Sequence, residues 1–205
     1  MNPNSADAHD WYGNYLAAVG NYGPALQESE SAHKLDPLSL PIYSDLLSTL
    51  VVSRQYDRAI AESRRAIESH PDFAYGYAWL GMAYMLKGQT KDAVKVAQEG
   101  YRRDPNVSIT TFLAMAHAAD GNKAEALKLV DDLEKKARSR YVCAYEVSGV
   151  YVQLHDNQKA VQWLHRGEDE QCDCQIWLRS EPWMDLVRTD PSYNNFVQKV
   201  GYPAK

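Results

Sequence analysis

Residues 74–105 read AYGYAWLGMAYMLKGQTKDAVKVAQEGYRRDP. Tyr77, Leu80, Gly81 and Tyr84 fall at i, i+3, i+4 and i+7, which is one face of a helix. Gly88 interrupts that run. Ala93, Ala97 and Gly100 then mark the inner face of a second helix, and Pro105 ends it. The same order recurs on both sides. Pro3, Pro37, Pro71 and Pro105 stand 34 residues apart, and Ala25, Ala59 and Ala93 keep that interval, as do Ala32, Ala66 and Gly100. A fixed period of this size predicts an all-α solenoid. A single helix pair cannot bury its apolar stripe, so successive pairs stack and share one core. Gly81 leaves room for a neighbouring helix. A glycine inside a helix costs about 0.5–1 kcal/mol relative to alanine, and close packing is the compensation.

Working outward, the period predicts five helix pairs, at 6–39, 40–73, 74–106, 107–140 and 141–171, and a capping segment at 172–205. In the first pair Trp11, Tyr12, Gly13 and Leu16 mark the first helix, and Gly20-Asn21-Tyr22-Gly23 the turn. In the second, Leu47 replaces the packing glycine, so these two helices should stand slightly further apart. The fourth has lost one residue, since Gly88 and Gly121 are 33 apart, and no proline closes it. Its charged run, Glu134 to Arg140, reads as a solvated helix face with local ion pairs. In the tail, Asp190 suits a helix N-cap with Pro191 at the first helical position, and Gly201 suits the stop. Phe196, Val197 and Val200 between them form an apolar stripe that would cover the fifth pair. Pro3 sits where a repeat should end although no helices precede it, so the chain is expected to be cut from a longer protein.

These residues resemble the tetratricopeptide repeat (TPR) family, whose unit is a helix–turn–helix of 34 residues. The resemblance implies a right-handed superhelix of antiparallel helix pairs. Tyr141 to Pro203 is similar to the C-terminal end of many bacterial TPR proteins, in which such arrays commonly follow a winged-helix, Ser/Thr kinase or cyclase domain. Glu181 stands where aspartate is usual, and Cys172-Asp173-Cys174 is not part of the pattern. What the resemblance implies is a non-catalytic protein–protein interaction module, the TPR region of a larger bacterial regulatory or signalling protein such as a transcriptional regulator. It would bind a peptide or partner domain in a concave groove. Self-association as a structural scaffold, and service as the accessory domain of a multidomain kinase, cyclase or hydrolase, stay open as alternatives.

In TPR arrays the first helix of each pair lines the groove. Mapped here, those positions give Trp11, Asn14, Asp45, Ser48, Tyr75, Trp79, Met82, Phe112, Met115 and Tyr145. If exposed, they form an aromatic, methionine-containing surface suited to an apolar or aromatic segment. The other reading is that Trp79, Phe112 and Tyr145 pack against neighbouring helices. Heat-shock cochaperones of the family clamp a terminal carboxylate with Lys and Asn at these places. Asp10, Asp45 and Ser48 occupy them here and only Asn14 matches, so charge disfavours a carboxylate ligand.

Composition narrows the field. A net charge of −5 argues against a nucleic-acid-binding surface on this chain, and no apolar run reaches transmembrane length. Three cysteines are too few, and odd in number, for a disulfide framework. Cys172 and Cys174 lie closer than zinc ligands usually do, with His155 and His165 the nearest additions. They are read as free thiols in a connecting loop, beside metal and redox alternatives, so no metal ligand and no cofactor is expected. The sequence carries no metalloprotease, nucleophile-elbow or phosphate-loop motif, and an enzyme is not expected. The expected partner is a protein or peptide, with a homo-oligomer open. Free thiols favour the cytoplasm, with the periplasm open if a membrane segment precedes the chain.

Overall fold

Serine and asparagine start several of these helices. The side chains of Ser5, Ser39 and Asn106 accept from the N–H groups of Ala8, Ile42 and Ile109, satisfying donors that a helix N-terminus leaves unpaired. The structure is a computed structural model that describes residues 4–201, so Pro3 and the Tyr202-Pro203 ending lie outside the described residues. Among these there are eleven α-helices and no strand. They are α1 (Ala6–Ala18), α2 (Tyr22–Leu35), α3 (Leu40–Val52), α4 (Tyr56–Ser69), α5 (Ala74–Leu86), α6 (Thr90–Arg103), α7 (Val107–Ala119), α8 (Lys123–Lys136), α9 (Ala144–Gln153), α10 (Asn157–Asp169) and α11 (Pro191–Lys199). Two short 3-10 turns, Asp173–Trp177 and Pro182–Leu186, stand between α10 and α11. No helix among the described residues is long and apolar enough to cross a membrane.

The chain divides into two compact bodies, Met1–Asp104 and Pro105–Lys205. In both, a left-handed residue ends the first helix of each pair. Gly20, Gly88 and Gly121 supply it at φ of 84°, 76° and 79°, while Arg54 and His155 hold the same slot at 61° and 57°. A side chain in that region costs about 1–2 kcal/mol, so the second and fifth pairs bear a strain that glycine spares the others.

In the N-terminal body the slot that alternates Gly13, Leu47 and Gly81 sets helix spacing. A Cβ on Gly13 would stand 3.2 Å from the Ala25 carbonyl oxygen, and one on Gly81 would stand 3.3 Å from that of Ala93. Here α1 and α2, and α5 and α6, come close along their length. With Leu47 in the slot and fully buried, α3 stands off from α4, as the sequence leads one to expect. Each second helix also packs on the next first helix, α2 on α3 and α4 on α5. The first helices lie side by side, α1 on α3 and α3 on α5, with no comparable packing among α2, α4 and α6. That asymmetry makes α1, α3 and α5 the inner layer of a curved stack.

The C-terminal body pairs α7 with α8 and α9 with α10, and α7 lies beside α9, but α8 does not pack on α9 as α2 does on α3. The charged run on α8 is a solvated face: Lys135 pairs with Asp131 at 2.6 Å and Lys136 with Asp132 at 2.8 Å. In the tail, Asp190 caps α11 by accepting from Ser192 N at 2.8 Å and Tyr193 N at 3.4 Å. Gly201 ends that helix at φ 76°. Helix α11 lies on α10, and the Pro182–Leu186 turn lies on α9.

Candidate functional site

The inner layer of the N-terminal body gathers Asp10 and Asn14 from α1 with Ser44, Asp45 and Ser48 from α3, all half-buried. Asn14 Nδ2 donates to Asp45 Oδ2 at 2.8 Å. The Asp10 and Asp45 carboxyls stand close enough to act on one another electrostatically, and Asp10 Oδ1 is buried without a hydrogen-bond partner. Burial first, and the charge of Asp45 second, push the Asp10 carboxyl up to about 7. Burial also raises Asp45, opposed by the hydrogen bond from Asn14. Two carboxyls this close cannot both ionise cheaply, so near neutrality the pair holds one proton between them. A second contact has the same register. Trp79 Nε1 donates to Ser44 Oγ at 3.0 Å, and both Asp10–Asp45 and Ser44–Trp79 join residues 35 apart, one repeat plus one.

The linkage has a definite sign. An unfolded aspartate loses its proton near 3.8 and folded Asp10 near 7. Between those values the folded state keeps a proton that the unfolded state has released. The stabilisation from Asp10 is therefore fully present below about pH 4 and lost as pH rises through 7. Asp10→Asn is expected to melt higher than the parent at pH 8 and to show a flatter Tm profile between pH 5 and 8. Parallel melting curves at both pH values would refute this placement of the proton.

The other positions mapped from the sequence divide by burial. Trp11 is 77% exposed and stands with Tyr15 on α1 and Val19 at its C-cap in an uncovered i, i+4, i+8 stripe. Tyr75 is half-buried. Trp79 and Met82 lie in the core of the N-terminal body. Phe112, Met115 and Tyr145 are core residues of the C-terminal body, the last two only 0% and 1% exposed. Met115 lies over Gly149, where an added Cβ would fall 2.4 Å from its Cε. The Tyr145 hydroxyl donates to the Glu181 carboxylate, which burial pushes well above the usual range. This accounts for Glu181 where aspartate is usual. Its side chain does not cap the turn at Pro182 but reaches into the core. Beside it, Ser108 donates to Glu146 at 3.1 Å, and burial raises Glu146 to about 7.

The cysteines form a second cluster, one that the sequence reading missed. Cys143 and Cys172 are buried and Cys174 is half-buried, and their sulfurs all lie within 4.8 Å of one another. Cys143 occupies the N-cap slot of α9, where Ser5, Ser39 and Asn106 cap other first helices. A cysteine in a slot that three of the other four first helices give to an oxygen side chain, α5 having Phe73, is the signal that was available. His155 and His165 are not part of the cluster: His165 meets Phe196 edge-on and faces Glu168.

Stacked antiparallel helix pairs with the first helices inside define an α-solenoid of the kind that works through its surface. The tetratricopeptide repeat family matches at residues 45–108 and 88–141, so tetratricopeptide repeats occupy residues 45–141. Over 115 residues it is 30% identical to the Hsp70-Hsp90 organizing protein of Triticum aestivum, an alignment covering 56% of this chain and 20% of that protein. Over 94 residues it is 30% identical to the small glutamine-rich tetratricopeptide repeat-containing protein 2 of Mycosarcoma maydis, covering 46% and 27%. The chain thus spans well under a third of either relative. Among solved structures it is similar to TTC0263, a thermophilic TPR protein of Thermus thermophilus, with TM-score 0.59, 18% identity and coverage of 95% of this chain and 100% of that one. The fold and these relatives point to a protein-interaction module.

Proposed function

We propose that the chain is the interaction region of a larger bacterial regulatory or signalling protein. In this reading it takes an extended segment or a helix of a protein partner along the inner layer of its N-terminal body. The observation that carries it is the half-exposed Asp10–Asn14–Asp45 group on helices that first-layer packing places on the inner side. A lysine or arginine of the partner, seated there, would let both carboxylates ionise and would displace the shared proton. The wheat relative is named for organising Hsp70 and Hsp90. The charge of Asp10 and Asp45 favours a cationic contact here over an anionic one.

Calorimetry with a panel of lysine- and arginine-containing peptides tests this. Because a bound cation pulls the Asp10 carboxyl down from about 7, binding is expected to strengthen from pH 6 to pH 8. It is expected to weaken in the Asp45→Asn variant by about tenfold or more. Peptide affinity indifferent to both would sink the reading. Self-association has its own support in the uncovered Trp11–Tyr15–Val19 stripe. A mass by light scattering that rises with concentration, and returns to the monomer in Trp11→Ala, would favour it.

A further inference from the structure

We propose that Cys143, Cys172 and Cys174 form a binding site for one thiophilic d10 metal ion, Zn2+ or Cu+. All three cysteines of the chain meet at one place, although 29 residues separate the first from the second. Metal–sulfur bonds of about 2.3 Å require sulfurs roughly 3.8–4.0 Å apart in tetrahedral or trigonal geometry. The observed sulfurs lie within 4.8 Å of one another, and the Cys143 and Cys172 pair is at 3.3 Å, so small side-chain rotations bring all three into range. Thiols are weak hydrogen-bond partners for one another, so three converging sulfurs gain little from mutual contact alone.

The ligands come from pinned backbone. Cys143 is the N-cap of α9. Cys172 follows Gln171, held in the left-handed region at φ 54°, and its N–H donates to the Gly167 carbonyl at 2.8 Å. Gln175 fixes the turn that carries Cys174 by donating from Nε2 to the Leu164 carbonyl at 2.6 Å. Buried Cys143 and Cys172 form the floor, and half-buried Cys174 leaves an entry side. With no histidine or carboxylate completing the cluster among the described residues, the protein supplies three ligands and leaves one position open.

The full chain, reduced and handled without oxygen, is to be offered Zn2+ and, separately, Cu+ held by a competing chelator. Native mass spectrometry is expected to show one ion per chain with at least one of the two metals, and thiol titration to show all three sulfurs protected. Cys174→Ser changes only the half-buried ligand, so its circular dichroism should match the parent. Its affinity is expected to fall by about tenfold or more, since even outer contacts to a ligand are worth 10–100-fold. Failure to retain either metal against the chelator overturns the proposal. So does full retention in a folded Cys174→Ser chain. A Cys143–Cys172 disulfide in the isolated protein that, once reduced, still binds neither ion also overturns it.

Discussion

Phe196→Ala is expected to cost the C-terminal body about 3–5 kcal/mol, the range for deleting a buried aromatic ring. Phe196 is 1% exposed and meets the His165 ring edge-on at 4.9 Å. The cost is not confined to the ring. Helix α11 has only 9 residues, and isolated helices shorter than about 12–15 are marginal in water. It persists because Phe196, Val197 and Tyr193 seat it, with the Tyr193 hydroxyl donating to the Leu178 carbonyl at 2.6 Å. Losing the largest apolar side chain of the three frees the segment and uncovers the outer side of α10. Urea unfolding followed by tryptophan fluorescence reads this directly, since Trp183 is 3% exposed in the same body. An exposed neighbour, Asn195→Ala, is the control and should change little. A loss below about 1 kcal/mol for Phe196→Ala would mean that α11 is not what closes this end.

The fold was legible because its determinants are local and repeat. Small residues, turn glycines and prolines return every 34 positions, and each reports one geometric requirement. Leu47 could even be read as an exception with a consequence, because a side chain's bulk in a contact slot acts directly on helix spacing. The site was harder for a physical reason. Helices α5 and α7 are apolar nearly all round, with ten buried residues each. A helical wheel with no polar face cannot say which aromatic points outward. Trp79, Met82, Phe112 and Met115 therefore fitted a groove as well as a core, and burial assigns them to the core. Glu181 and the cysteines escaped for another reason. Tyr145–Glu181 and Cys143–Cys172 bridge 36 and 29 residues through a tail that has left the repeat register. Periodicity gives the partner of Asp10, one repeat plus one residue along, but has nothing to say once the period ends.

Gly81→Leu is expected to cost the N-terminal body about 3 kcal/mol, the upper part of the range for overpacking, although the homologous slot in the preceding repeat holds leucine. The two sites differ in what surrounds them. Opposite Leu47 the buried positions of α4 are Ala59, Ser63 and Ala66, and the two helices stand apart along their length. Opposite Gly81 there is no such clearance. A Cβ there would stand 3.3 Å from the Ala93 carbonyl oxygen and 3.6 Å from the Ala97 Cβ, and backbone cannot rotate away as a side chain can. A second close approach fixes the far end of the same pair. A Cβ on Gly100 would stand 3.0 Å from the Tyr77 Cβ and 3.1 Å from the Ala74 carbonyl oxygen. To admit leucine, α5 and α6 would have to separate at both points and strip the packing that buries Tyr77, Leu80 and Ala97. Helix α5 also carries Trp79, so its shift would break the bond to Ser44 and loosen the layer holding Asp45. Chemical denaturation should show the loss, and weakened peptide binding should accompany it. If Gly81→Leu kept the parent's stability, glycine spacing would not be what closes this pair. The wider gap between α3 and α4 would then need a cause other than Leu47.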